Sequence, residues 1–582
     1  MKIKYIALAV SLLLSIGALA QHNEEVTIEG TYRPKVNKVN KIELKPETPQ
    51  QSFEMPSSEI HIMDIEHRFP LELEKLSMQT YNGKNAQLPE TAKNFLMVGF
   101  GTRISPAFLY KHNSNLTKTL GLNVGIKHYS SWLDIKDYAP SSFMNNAMEI
   151  GLTSSKYKNV QLEGDVYYKN DMVHYYGVNL LNHPLTDEQI DQCCPKQIYN
   201  TIGGHFGLVP TTTRTGEVSH QLGVDYHYTF DNTYAREHFV GAEYGLGYTQ
   251  SWWGDKSHPQ KIGVDLAFQY EYFESSHAVG YDIMGGRDDL LLLKVNPYFE
   301  MNDEFYKLHL GVRLDGANLV QLKDKYLVVR PDVSGSLYVL NKKLEFYAGL
   351  NGGKKLLTYS EIISENPFVG CDHLGLLAQN VKLGFDGGIR TNIGEVVDLH
   401  LGVRYRHTDN DPFFVHDKRV PDWQGFSNKY DVVYDETQLV SVLADMRVKL
   451  RGSLSTDLGF AYNNYEMTKE DCPWHRPKME GKLKLTYDVN DNLAFNTTFL
   501  YQGERYAKDW HYGPYWKTKF PPQYEAVKLK DVYDLSLGAD YRFSDQLSVF
   551  AKLDNVLNQK YQLYYDYPVS GIQFFAGLKM RF

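Results

Sequence analysis

Gly571-Ile-Gln-Phe-Phe-Ala-Gly-Leu-Lys-Met-Arg-Phe582 closes the chain. Every second residue is apolar: Phe582, Met580, Leu578, Ala576, Phe574 and Ile572. Between them stand Arg581, Lys579, Gly577, Phe575, Gln573 and Gly571. Successive side chains of a strand point to opposite faces. The stretch therefore predicts one strand with a continuous apolar face, an opposite face that is largely polar or small, and an aromatic at its end. The edge strand of a soluble sandwich would show the same twelve residues. Recurrence of the pattern along the chain is what separates the two readings, because a barrel is the architecture that closes such edges.

The pattern recurs from Phe95 onward. Leu120, Leu122, Val124 and Ile126 alternate with Gly121, Asn123, Gly125 and Lys127; Val440, Val442, Ala444, Met446 and Val448 face away from Asp445, Arg447 and Lys449. Strands of this length with charged residues on the interior-type face invert the logic of a soluble core. Polar inside and apolar outside is the pattern of a membrane-spanning barrel. The connections fall into two kinds. Asn302-Asp303-Glu304, Asn341-Lys-Lys343 and Ser544-Asp-Gln546 are short turns, whereas 274–288, 317–329, 351–379, 406–437, 504–528 and 556–570 are long, aromatic and charged. Short turns belong to the periplasm and long loops to the exterior. The fold expected is all-β: a large antiparallel transmembrane β-barrel over 94–582. The strand count comes to about 21, and the even number of such barrels makes it 20–22. The strand read at 96–109 must then descend from outside, which makes Ile60-His-Ile-Met-Asp-Ile65 the candidate for a missing strand.

The chain opens with Lys2 and Lys4, an apolar run from Tyr5, and Ala18-Leu-Ala20 before Gln21, as a secretory signal peptide does (1–20). Residues 21–93 carry Pro34, Pro46, Pro49, Pro56, Pro70 and Pro89 amid many charges, and read as an extended periplasmic or lumenal segment. The formal charge is −9, and losing Lys2 and Lys4 makes it −11. With no basic stripe interleaved with aromatics, nothing suggests a nucleic-acid partner. The 43 tyrosines suit aromatic girdles at the two membrane surfaces. Cys193, Cys194, Cys371 and Cys472 all fall in expected loops. A disulfide is the ordinary reading in an oxidising compartment, and no ligand spacing accompanies them for a metal.

The C-terminal third resembles a known family. Leu547-Ser-Val-Phe-Ala-Lys-Leu-Asp-Asn-Val-Leu-Asn-Gln-Lys-Tyr561 runs a strand into an Asn-hydrophobic-hydrophobic-Asn turn and then Tyr. Tyr564-Tyr-Asp-Tyr-Pro568, Gly571 and the terminal Phe582 follow. This is similar to the end of TonB-dependent receptors. Glu25-Val-Thr-Ile-Glu-Gly-Thr-Tyr-Arg-Pro34 resembles the opening of their plug domain, but 21–93 is too short for a full plug. The resemblance implies that Phe582, Met580, Leu578 and Phe574 belong to the signal read by the barrel-assembly machinery. It also implies a plugless receptor-like barrel. Such a barrel would serve as a receptor or transport subunit, or as a scaffold, in a complex with other outer-membrane proteins or a surface lipoprotein, surrounded by outer-membrane lipid. The alternative is a passive diffusion channel for small solutes; an outer-membrane enzyme is the lesser reading.

No G-x-S-x-G, H-E-x-x-H, P-loop or paired CxxC motif occurs, and no cofactor is expected. Gly99-Phe-Gly101 lies in a strand with no helix after it. His407, Asp409, Asp411, His416 and Asp417 crowd one stretch, as a cation site or as a solvated loop. Trp252, Trp253, Trp510, Tyr512 and Trp516 are candidate contacts for a sugar or peptide, or members of interfacial belts. The vicinal Cys193-Cys194-Pro195 is unusual, and the sequence suggests no mechanism for it.

Overall fold

The computed structural model describes residues 93–582 apart from 158, 212–214, 254–257, 276–286, 320–326, 372–373, 395, 421–423, 451–452 and 511–522. The expected signal peptide, the extended segment up to residue 92 and the Ile60 strand lie outside the described residues.

Among the described residues 22 strands form one sheet, each antiparallel to its neighbours in sequence. The first strand, Asn94–Gly101, closes the ring on the last, Gln573–Arg581, in a register from Phe95↔Arg581 to Gly101↔Phe575. Asn94 and Phe582 exchange both backbone hydrogen bonds, at 2.8 and 3.0 Å, so the terminal residue is itself part of the ladder. Closure pairs both edges of this 22-stranded sheet, so none of its described strands is left open for a wrong partner.

The expected faces hold. Phe582, Met580, Leu578, Phe574 and Ile572 are exposed on the outside, while Phe575 is 2 % exposed inside. The same alternation exposes Val166, Phe206, Ile262, Leu310, Leu401 and Val442 around the ring. An exposed apolar exterior of this extent is stable only against hydrocarbon. The inner face is laced with charge pairs: Arg404 and Arg406 on Asp386, at 2.9 and 2.6 Å, and Lys579 on Asp540, at 2.5 Å.

The even strand count is met without the Ile60 region. The stretch read as one strand at 96–109 is a hairpin, Asn94–Gly101 and Ser105–Asn115, turning through Thr102, Arg103 and Ile104, which sits at φ 51°. Phe95, Met97, Gly99 and Gly101 face inward before the turn, and Ser105, Ala107 and Leu109 after it. The period-2 pattern thus passes through the turn in phase, and periodicity alone could not show the reversal. A second correction concerns 406–437. Strand Val397–His416 continues to its end through a register shift between Thr408 and Asp411, and Tyr430–Leu450 resumes the sheet, so the loop is 417–429. Asn410, at φ 54°, and the bulge interrupted the alternation and made strand look like loop.

The wall is uneven. The strands at the closure are short, with 8 residues in Asn94–Gly101, 8 in Leu547–Asp554 and 9 in Gln573–Arg581. Val397–His416 has 20 and Tyr430–Leu450 has 21. Both ends of the described chain lie at the end of the ring with the short turns, and the long connections gather at the other.

Candidate functional site at the loop end

Among the described residues, several of the long loops do not stand free above the ring. They meet over the lumen in a common core, which begins in 357–377. Thr358-Tyr-Ser-Glu361 is a helix-start pattern. The Thr358 hydroxyl accepts from the Glu361 amide, starting a helix over Tyr359–Glu365. Tyr359, Ile362 and Ile363 share its buried face, and Asn366-Pro367 ends it, since Pro has no amide to donate. The helix start docks on the inner wall. The Tyr359 hydroxyl donates to Asp231 (2.9 Å), the Tyr359 amide to Glu271 (3.3 Å) and the Ser360 amide to Glu237 (3.1 Å). Glu237 and Glu271 are fully buried, on strands Arg236–Gln250 and Gln260–Glu274. Backbone amides at a helix start are suited to hold such carboxylates. After the helix, the Tyr199 hydroxyl donates to Pro367 O (2.8 Å) and Tyr175 to Val369 O (3.2 Å).

Loop 555–572 enters from the other side, and here the Asn-Val-Leu-Asn turn acquires a physical role. Asn555 and Asn558 both lie in the left-handed region, at φ 49° and 52°, which Asn tolerates better than most residues. The Asn555 amide group donates to Gln559 O and Ser570 O, and the Asn558 carbonyl accepts from the Ile572 amide. The base of the loop is thereby stapled, and Tyr561, Tyr564 and Tyr567 are carried inward, all buried. Tyr567 stacks on Phe368 with ring centres 3.7 Å apart, and Tyr176 meets it edge-on at 4.8 Å. A Cβ on Gly177 would run into the Tyr567 ring, so only glycine lets the backbone pass there.

Asn428, from loop 417–429, joins three loops. Its amide donates to Tyr175 O (2.6 Å) and Cys193 O (2.7 Å), and its backbone carbonyl accepts from the Tyr567 hydroxyl. Arg505, 2 % exposed, donates to Leu563 O and Lys530 O, while Arg476 reaches Glu365 at 3.5 Å. The described residues of segments 175–195, 357–377, 417–429, 468–478, 504–531 and 555–572 are thus knit into one cap whose anchors lie on strands widely separated around the ring.

The cap carries two titratable groups of opposite sign. His475 donates from Nδ1 to Phe414 O and accepts at Nε2 from the Tyr565 amide, an arrangement open only to the neutral ring. Burial, with His416, Arg505 and Arg476 nearby, lowers its pKa to about 3. Its contribution to stability is complete above its unfolded pKa of about 6.5 and is lost as pH falls towards 3. Burial, reinforced by Asp509 and opposed by His416, raises Asp566 to about 6. That contribution is complete below about 4 and is lost as pH rises through 6. The two cancel in part across mildly acidic pH. Asp566→Asn is therefore expected to stabilise the cap at pH 7.5 by roughly 1–2 kcal/mol, discounted because the side chain keeps some solvent contact. It is also expected to make the cap lose stability more steeply on acidification than the parent. Thermal unfolding at pH 7.5 and 4.5 checks both parts, and a parallel pH dependence in the two proteins refutes the assignment.

The candidate ligand aromatics are not brought together. Trp252 and Trp253 follow strand Arg236–Gln250 at the turn end, where Trp253 stacks on Phe299 at 5.7 Å and Trp252 meets Tyr248 at 6.1 Å, in the manner of an interfacial girdle. Trp510 is at the loop end, in a hairpin of Tyr506–Trp510 with Tyr524–Lys528. Its ring, with Trp474 and Tyr524, surrounds the protein's own Lys508 ammonium, at 4.9, 5.7 and 4.2 Å. Tyr512 and Trp516 lie outside the described residues.

The stretch His407 to Asp417 is partnered internally rather than converging. Glu436 takes His407 (2.7 Å), Lys382 takes Asp409 (2.6 Å), Gln379 and Thr437 take Asp411, and Arg419 takes Asp417 (2.7 Å). Among the described residues no group of three or more His, Cys, Asp or Glu is placed to hold a metal ion. The four cysteines are free thiols, which corrects the disulfide reading. Cys193 and Cys194 touch each other at 3.1 Å, and Cys371 meets the Thr233 hydroxyl at 3.0 Å.

No protein-family model matches the chain. Solved structures do resemble it. The siderophore receptor PirA from Acinetobacter baumannii superposes with a TM-score of 0.62 at 12% identity, covering 86% of this chain and 81% of that one. The ferric-catecholate import receptor Fiu from E. coli K12 gives 0.59 at 9% identity, with 86% and 83% covered. The copper transporter OprC gives 0.56 at 14% identity, with 86% and 82% covered. At such identities the likeness is one of fold, and it agrees with the resemblance drawn on the closing strands: a TonB-dependent receptor-like barrel. With its apolar exterior, that fold belongs in the bacterial outer membrane.

Proposed function

We propose that this chain is a receptor or transport subunit, or a scaffold, within an outer-membrane complex, working with another envelope protein or a surface lipoprotein rather than as an open pore. One observation carries the reading: the loop end of a wide, polar barrel is crossed by the chain's own aromatic cap, anchored on Asp231, Glu237 and Glu271 of one wall and locked by Tyr567 and Asn428 from others. A diffusion channel for small solutes needs a continuous aqueous path, and the cap argues against that reading. The outer surfaces of the cap loops, including Leu181 at 72 % exposure, are the surface offered to a partner. The hairpin of Trp510 would contribute to the same surface. Trp252 and Trp253 would instead meet lipid headgroups. The reaction class is binding or transport, not catalysis.

The test is to purify the full chain from its native membrane in gentle detergent, with a photo-crosslinker at Leu181. A partner at a fixed ratio, joined at that position, is the expected result. A lone barrel with no crosslink refutes membership of a complex.

A further inference from the structure

The register of three neighbouring strands orders the outer wall into horizontal rows. Strands Val218–Asp231, Arg236–Gln250 and Gln260–Glu274 place Leu222, Tyr244 and Leu266 side by side, then Val224, Ala242 and Phe268 above them. Higher come Tyr226, Val240 and Tyr270, then Tyr228, His238 and Tyr272, and last Phe230, Arg236 and Glu274. The wall thus passes from hydrocarbon-facing residues to aromatics to charge within a few residues. This is the sequence of environments at the outer surface of the bilayer.

At that height the wall is hollowed. Tyr228, Arg236, His238, Tyr270, Tyr272 and Glu274 line a shallow pocket of about 460 Å³. Tyr228 and His238 stack with centres 4.5 Å apart, the Tyr226 hydroxyl lies 3.0 Å from His238 Nδ1, and Tyr272 donates to Glu274 at 3.0 Å. The rings are held by their neighbours. Arg236 is exposed and makes no ion pair among the described residues.

We propose that this pocket binds the phosphorylated amino-sugar headgroup of the outer-leaflet glycolipid. Its parts match that chemistry. The guanidinium of Arg236 presents paired donors to a phosphate. The faces of Tyr228 and His238 suit the apolar C–H face of a sugar ring. Glu274 accepts from hydroxyl or amide groups and, being acidic, keeps the phosphate on the Arg236 side. The rows beneath fix the source of the ligand. Acyl chains hanging from the headgroup lie along Val240, Phe268 and Leu266, whereas a soluble sugar phosphate would leave those residues unused.

The test titrates the full chain in mild detergent with bisphosphorylated lipid A, read by native mass spectrometry. Dephosphorylated lipid A and inorganic phosphate are run alongside. Arg236→Ala is expected to weaken binding about tenfold, the order of one charge-assisted pair. Removing the phosphates is expected to cost the parent a similar factor and to cost Arg236→Ala little more, because the two changes delete one interaction. Trp253→Ala, in the opposite girdle, is expected to bind as the parent does, and heat-modifiable mobility confirms folding of each variant. The proposal is overturned if Arg236→Ala binds like the parent, or if phosphate removal costs parent and variant equally. It is overturned as well if Trp253→Ala is as weak as Arg236→Ala, or if inorganic phosphate competes as strongly as the lipid.

Discussion

Excising residues 359–375 and joining Thr358 to Leu376 by a short Gly-Ser turn is expected to turn a silent barrel into a conducting one. A ring of 22 strands encloses more space than its own wall side chains fill. What crosses that space at the loop end is the helix Tyr359–Glu365 and the aromatics around it. The excision removes Phe368 and with it the stacking surface of Tyr567, and it uncovers Glu237 and Glu271 to water. The sheet is untouched, since 344–356 and 378–393 stay paired from Leu344↔Thr391 to Leu356↔Ala378. Planar-bilayer recordings should show no steps for the parent and stable steps for the excised protein, each compared with and without residues 21–92. A graded version is Tyr567→Ala. Losing this fully buried ring costs about 3–5 kcal/mol of cap stability, and brief openings should appear. Silence in the excised barrel, both with and without 21–92, would refute the cap as the barrier.

Gly577→Val is expected to prevent stable closure of the barrel. Gly577 pairs with Gly99 across the seam and with Phe550 on the other side. A Cβ there would run into the Val98 carbonyl oxygen and the Gly99 backbone, which no change of rotamer relieves. A Cβ on Gly99 would in turn meet the ring of Phe575, which is packed on Phe550 at 5.8 Å. Overpacking against side chains costs about 1–3 kcal/mol, and against backbone the strands must part. The expected cost is about 3 kcal/mol or more at the joint where the first and last strands of the ring meet. Loss of the heat-modifiable folded band checks this. Met580→Leu, on the lipid face of the same strand, should leave the band unchanged. A Gly577→Val protein as stable as its parent would show that the seam yields more readily than its contacts indicate.

The fold was legible because a barrel is specified strand by strand. Leu578 and Lys579 point to opposite faces whatever lies elsewhere, and period 2 carries that information locally. Failures came where local pattern and global path part. The turn at Thr102–Ile104 preserved phase and hid a reversal, and the bulge at Thr408–Asp411 broke phase and hid a continuous strand. The cap was the least legible part. Thr358-Tyr-Ser-Glu361 carries a helix-start signal that reading 351–379 as a loop passed over, whereas the crowd of aromatics in 556–570 was visible. That Phe368 meets Tyr567, or that Asn428 reaches Tyr175, depends on loops from strands far apart around the ring. No spacing along the chain encodes such contacts. The aromatic residues singled out as ligand contacts were selected by composition, and the structure separates Trp252 and Trp253 from Trp510 by the height of the wall.

The uneven wall gives the molecule a preferred direction of approach. Nine tilted residues at about 3.3 Å each rise a little over 20 Å, close to the apolar band of about 25 Å, whereas twenty-one rise about 50 Å. On the side of Val397–His416 and Tyr430–Leu450 the barrel stands clear of the membrane like a parapet, its outer face there polar with Lys382, His407 and Glu436. At the seam the rim lies level with the lipid surface. A visitor diffusing in three dimensions meets a raised barrier over part of the circumference. For the partner proposed above, a neighbour tethered to the outer leaflet would need no climb: it would come in over the seam, beside loop 555–572, the edge of the cap from which Tyr567 reaches inward.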